Sequence, residues 1–221
     1  MSLKVNKPGP GISVLSMFMS GVKEVSAQIE PYTKWWDTQN KETFSNPKEK
    51  LLTVIGDSAA LSVGASSPEK GYVNIIRETL EDSTGTSWGV INFSMSGAKV
   101  SNALDEYLPA IKSIPNSDEF ICCVGSNDIF WSISVSEFHD DLRKMISLLP
   151  QNSIVGTLAG ASPRSAVANN ILKKAAKARG LRVLNPWGKP GLGLNKVAKD
   201  KFHPNDVGHQ LMADAFLAEL T

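Results

Sequence analysis

From residue 51 onward the chain alternates between two hydrophobic rhythms. Five short runs, LLTVI (51–55), GVINF (89–93), FICCV (120–124), SIVGTL (153–158) and LRVLN (181–185), are nearly continuous in apolar or β-branched residues. Strands buried on both faces of a parallel sheet read this way, because neither side of the pleat meets water. Between the runs, apolar positions recur at helical spacing. Tyr72, Val73, Ile76 and Leu80 share one face, and so do Val100, Ala103, Leu104, Tyr107 and Ile111, where Pro109 is a candidate break. Phe138, Leu142, Met145, Ile146 and Leu149 make the clearest stripe, with Ser134 and Glu137 in capping-box spacing ahead of it. Ile171, Leu172, Ala175 and Ala178 follow and stop at Gly180, and a last helix is expected from about Pro204 to Leu220. Five β-α units in series predict a doubly wound α/β domain, a three-layer α/β/α sandwich on a five-stranded parallel sheet.

The first fifty residues break this rhythm. Ile12, Leu15, Phe18, Met19, Val22, Val25 and Ile29 give one helical stripe, and a second short segment carries Trp35 and Trp36. A membrane-surface or dimerisation helix is one reading of the stripe. Its polar face is mostly serine, however, unlike the basic face of interfacial helices. The expectation is therefore an N-terminal helical extension, residues 1–50, packed on a domain formed by residues 51–221.

Composition narrows the function classes. The chain has 221 residues, 42% hydrophobic and 20% charged, with a formal net charge of +1, which is the profile of a soluble domain with a sizeable core. The scattered lysines and arginines leave no basic stripe, so a nucleic-acid partner is not expected. With three histidines and only the neighbouring Cys122 and Cys123, neither a metal nor a cofactor is expected. Strand alternation sends those two cysteines to opposite faces as small buried hydrophobes, in a reducing compartment. Neither a membrane span nor a signal peptide is evident, and the expected location is cytoplasmic. The sequence does not indicate an oligomeric state.

Candidate chemistry gathers where the runs end, the edge at which open parallel sheets bind ligands. Gly56-Asp57-Ser58 follows the first run, Ser94-Met95-Ser96-Gly97 the second, and Gly125-Ser126-Asn127-Asp128 the third. Beyond the fifth, after a loop, comes Asp200-Lys201-Phe202-His203-Pro204. A serine hydroxyl is a weak nucleophile that needs an adjacent base, and histidine supplies one near neutral pH. The histidine in turn needs a carboxylate to fix its tautomer, and Asp200 stands three residues from His203, within reach of one tight turn. Acyl transfer also requires donors where the oxyanion develops. The N–H groups of Ser58 and Gly97 and the Asn127 amide are the candidates.

These four blocks, in this order, resemble the SGNH hydrolase superfamily, also called the GDSL esterases/lipases. The resemblance spans about residues 51–220, and its one departure is Ala59, which stands where the motif's leucine would follow Ser58. It implies a flavodoxin-like SGNH hydrolase fold and a serine esterase of a carboxylic ester or thioester. It further implies that Ser58 is nucleophile and oxyanion donor, Gly97 and Asn127 the other donors, His203 the base and Asp200 its orienting acid. The substrate would be a small molecule carrying a short acyl group, an acetylated sugar or a lysolipid. A non-catalytic carbohydrate- or nucleotide-binding module on the same fold is the competing function.

Plainer readings exist for each residue. Ser58 could cap a following helix, Asn127 and Asp128 could be turn residues, and Asp57 is expected to brace its loop. A second D-x-x-H, Asp206 to His209, falls inside the last helix, where Asp206 suits the first turn and His209 lies past the strand edge. His139 is expected at the surface beside Phe138. An α/β-hydrolase elbow would need glycine where Ala60 stands, and GKPGLG (188–193) lacks the ending of a phosphate loop. That segment is expected to flank an acyl pocket walled by Trp187, Phe130 and Trp131.

Overall fold

All five runs become parallel strands of one sheet in the computed structural model, which describes residues 20–131, 134–188 and 191–220. They are β1 (Lys50–Gly56), β2 (Trp88–Ser94), β3 (Glu119–Cys123), β4 (Ser153–Gly156) and β5 (Arg182–Leu184). Their order is β2-β1-β3-β4-β5, with Val54 opposite both Asn92 and Ile121 and Val155 opposite Val183. The chain steps to one side of β1 for β2 and to the other for β3, so a topological switch point opens at the C-terminal end of β1.

Alternation along the strands builds two cores. Ile55, Ile91, Phe93, Phe120, Cys122 and Val155 face one side. They pack under the helical stretch α4 (residues 100–111), α6 (Val135–Leu148) and α7 (Pro163–Ala178). Leu52, Val54, Val90, Ile121, Cys123 and Ile154 face the other. Covering them are α2 (Ile29–Ser45), α3 (Tyr72–Thr84) and α8 (Asp206–Leu220). The two cysteines thus part to opposite faces, both unbonded and buried, and burial pushes the Cys122 thiol up to about 12 and Cys123 well above its usual range.

Local sequence explains most element ends. The α7 helix closes with Gly180 at φ +69°, with Leu181 N–H on Ala176 O and Gly180 N–H on Lys177 O, the paired bonds of a Schellman stop. Ser134 accepts the Glu137 N–H at 3.3 Å to start α6. Pro109 does not break α4. A π turn over Ala103–Tyr107 precedes it, with Leu108 N–H bonded to Ala103 O, and the wider turn accommodates the ring that an α-turn would exclude.

The N-terminal stripe is split between α1 (Ser20–Ser26) and α2 by a turn at 27–28; Ile12, Leu15, Phe18 and Met19 lie outside the described residues. Val25, Ile29 and Trp36 enter the second core, and Trp35 and Trp36 share the long α2 helix. The same helix covers the β2 edge. Asn40 donates to Asn92 O at 3.0 Å and accepts the Asn92 N–H at 2.8 Å, while Thr43 donates to Val90 O at 2.9 Å. These contacts satisfy backbone groups that an edge strand would otherwise offer to another chain.

Candidate active site

At the switch point β1 gives way to a run of tight turns over 58–64. Gly56 allows the reversal, since a Cβ there would lie 2.3 Å from the Ala60 methyl. Leu61 N–H bonds to Asp57 O, and Val63 N–H bonds to Ser58 O, which fixes Ser58 at the sheet edge. No regular helix follows before α3, so Ser58 caps none. Its hydroxyl instead meets His203 Nε2 at 2.9 Å.

The imidazole comes from a hairpin-like loop ahead of α8. Ala198 N–H bonds to His203 O at 2.8 Å, and Lys201, at φ +60°, makes the tight reversal between them. That reversal brings Asp200 Oδ2 to 2.5 Å from His203 Nδ1, while Asp200 Oδ1 accepts the N–H groups of Phe202 and His203 at 3.0 and 3.1 Å. Burial alone would raise the Asp200 carboxyl. The imidazole and the two N–H donors outweigh it and hold the carboxyl below its usual range.

Two further loops close around this trio. Asn127 opens α5 (Ser126–Trp131), and its Nδ2 donates to Ala98 O at 3.0 Å, with a second contact to Asp57 Oδ2 at 3.5 Å, the outer limit of a hydrogen bond. Gly97, next to Ala98, is exposed at φ +77° with open space where a Cβ would stand, so backbone conformation and not crowding calls for glycine there. Asp57 Oδ1 accepts the Ala59 N–H at 3.1 Å, and burial pushes its carboxyl up to about 6.

A family model for GDSL-like lipases/acylhydrolases matches residues 54–211. The chain belongs to that family. As a GDSL-type hydrolase it is a serine enzyme of the carboxylic-ester class. Solved structures give the fold independently. The chain is 19% identical to TesA over 78% of its own length and 98% of that protein's, with a TM-score of 0.68. For the psychrotrophic esterase EstA from Pseudoalteromonas sp. the values are 16%, 78%, 97% and 0.65. For Axe2, an acetyl xylan esterase from Geobacillus stearothermophilus, they are 21%, 78%, 94% and 0.61. No protein of curated function matches the chain in sequence.

In this GDSL hydrolase a cavity of about 470 Å³ runs from Ser58 and His203 across the ends of the sheet. Phe130 and Trp187 line it, as do Gly188, Gly191 and Leu192 of the glycine-rich loop. The Trp131 side chain and residues 189–190 lie outside the described residues. Gly97 is not among the lining residues. Phe202 is half exposed and meets both the Phe130 and the His203 rings edge-on, at centroid distances of 5.7 and 5.0 Å. Among the described residues no cluster of three metal-ligating side chains occurs, and no helix is long and apolar enough to cross a membrane.

The second acid–histidine pair is structural. His209 is fully buried, bonded between the Tyr72 N–H and Val63 O, and burial drives it down to about 4, so it stays neutral. Asp206 begins α8, as its first-turn position predicts, and ties Ser66 to that helix. Asp128 accepts the Val100 N–H at the start of α4. His139 is half-buried, with a buried Nε2, because its ring leans on Phe138 instead of projecting from the surface.

Several supports of the GDSL turn escaped the sequence reading. Gln28 accepts the Gly64 N–H at 2.8 Å and donates to Ala65 O at 3.1 Å, and Tyr32 donates to the same carbonyl at 3.0 Å. Buried Asn92 donates to Ala60 O at 2.8 Å. Gly64, at φ +97°, packs the Ser58 turn against the His203 loop: a Cβ would lie 2.2 Å from Pro204 O and 2.8 Å from His203 Cβ. Gly64 had one available signal, a glycine in the run after the Gly56-Asp57-Ser58 triplet; the others depend on partners more than thirty residues away.

Proposed function

We propose that Ser58, His203 and Asp200 act as nucleophile, base and orienting acid of a serine esterase. The Asp200 carboxylate keeps the Nδ1 proton in place, which leaves Nε2 as the acceptor facing the hydroxyl. As Ser58 Oγ attacks the ester or thioester carbonyl, His203 takes its proton and then returns it to the departing alcohol or thiol. Water, deprotonated by the same imidazole, releases the acyl group and restores Ser58. The oxyanion is held by the N–H groups of Ser58 and Gly97 and by Asn127, whose second amide hydrogen is spent in the free enzyme only on the long contact to Asp57.

The observation that carries the proposal is the continuous relay, 2.5 Å from carboxylate to Nδ1 and 2.9 Å from Nε2 to the hydroxyl. A cavity of about 470 Å³ suits a small acyl ester, an acetylated sugar or a lysolipid. Residues 1–50 are read as an extension that serves the 51–221 domain, supported by the Gln28 and Tyr32 bonds to its nucleophile turn. A fluorophosphonate probe should modify Ser58 alone, and Ser58→Ala should keep its fold while losing nearly all p-nitrophenyl ester turnover. Near wild-type rates in Ser58→Ala would overturn the assignment. A series of p-nitrophenyl esters of rising chain length, run beside acetylated sugars, separates the substrate classes.

A further inference from the structure

Most of the cavity's polar lining is spent on the protein itself. Asn169 bonds both the N–H and the carbonyl of Leu158, at 2.7 and 3.0 Å. Asn185 accepts from the Thr157 hydroxyl and the Trp187 N–H and donates to Gly188 O. Two lining side chains, Lys173 and Lys201, have no hydrogen-bonding or acidic partner among the described residues. Lys201 sits beside His203. Lys173 is at the opposite end, on α7 one turn beyond Asn169, and helical side chains lean toward the N-terminus, here toward the strand ends.

The sheet sets the distance between the two ends. Ser58 follows β1 and Asn185 follows β5, and the order β1-β3-β4-β5 separates those strands by three spacings. At about 4.8 Å each, the span is roughly 14 Å. Among the described residues the lining's one carboxylate, Asp57, adjoins Ser58, so no described acidic group in the lining offsets the ammonium at the far end. Lys173 is exposed at the cavity's edge, and a cation lining a cleft attracts an anion more strongly than one on an open face.

We infer that the far end of the cavity is a subsite for an anionic substituent, a carboxylate or a phosphate, held by Lys173 while the ester of the same molecule lies at Ser58. The inference rests on the esterase reading above and narrows its substrate to elongated esters with a remote negative charge. Neutral far-end groups would leave the ammonium to water and gain nothing from it.

Two matched pairs of esters test this in wild type, Lys173→Gln and Lys173→Glu. One pair, the p-nitrophenyl monoester of sebacic acid and its methyl-capped form, carries the charge on the acyl side. The other, the acetyl ester of an ω-phosphoalkanol and its phosphate-free form, carries it on the leaving group. In wild type the charged member of at least one pair should have the higher kcat/KM. That ratio should fall about five- to tenfold in Lys173→Gln, the range between an exposed ion pair and a charge-assisted hydrogen bond, and drop below one in Lys173→Glu. The pair that responds tells which side of the ester carries the charge. An unchanged ratio in both variants, or no preference for charge in either pair, overturns the inference. If wild type cleaved none of the four esters, the esterase reading would fail instead. Calorimetric titration with sebacate would then read the subsite directly, with weaker binding to Lys173→Gln expected and equal or absent binding overturning it.

Discussion

Replacing Asp57 with asparagine should make the protein's stability less sensitive to rising pH. Burial raises this carboxyl from 3.8 to about 6, against the opposing bond from the Ala59 N–H. The folded state therefore binds the Asp57 proton more tightly than the unfolded chain does. Its contribution to stability is complete below about 3.8 and is lost as pH rises through about 6. A displacement from 3.8 to about 6 corresponds to about 3 kcal/mol, of which roughly 1.4 kcal/mol falls between pH 5 and 8. Asparagine does not titrate and can still accept the Ala59 N–H, so the variant lacks that loss. Urea unfolding of both proteins at pH 5, 6, 7 and 8 measures it. The stability of wild type minus that of Asp57→Asn should fall across the series by roughly 1.4 kcal/mol, most steeply from pH 5 to 6. A difference that stayed constant, or rose with pH, would show that the ionised carboxylate is well accommodated and would refute the burial argument.

Other perturbations separate the chemistry from its scaffold. Asn127→Ala should lower kcat by about 10²–10³, as loss of one oxyanion donor does, with much less change in KM under steady-state assay. Gly64→Ala should keep its far-ultraviolet circular dichroism yet lose on the order of 10²-fold in kcat, because its Cβ would drive His203 and Pro204 away from the Ser58 turn. Gln28→Ala leaves the Gly64 N–H and Ala65 O without their side-chain partner; thermal unfolding should report a loss of about 1–3 kcal/mol.

The sheet and the relay were legible because both depend on short spacings. Five near-continuous apolar runs in series with helical segments fit strands buried on both faces of a covered parallel sheet, and Asp200 reaches His203 through three residues of one turn. Position along the strand ends then supplied the long-range step that brings Ser58 to His203. Where that inference needed more than an edge, it failed or fell short. Pro109 was a candidate break because the π turn that accommodates it leaves no mark in a 3.6-residue pattern. The polarity of His139 predicts a surface position and does not reveal that its ring rests on Phe138.

The larger omission concerns what holds the Ser58 turn and the His203 loop against each other. Asn40 pins β2 through Asn92, and Asn92 reaches Ala60. Gln28 and Tyr32 pin residues 64–65, and Glu24 pairs with Lys199, the neighbour of Asp200. All but the Asn92–Ala60 bond start from the N-terminal helices or the turn between them, whose apolar stripe predicted packing but not its target. The ion pair is exposed and contributes little by itself, whereas the amide contacts lie inside the fold and satisfy backbone groups that the turn after Ser58 cannot pair internally. The turn proposed to present the nucleophile has no α-helix directly behind it to hold it rigid. Gln28, Tyr32 of α2 and, through Asn92, Asn40 of α2 brace it from outside, next to the 2.9 Å contact between Ser58 and His203.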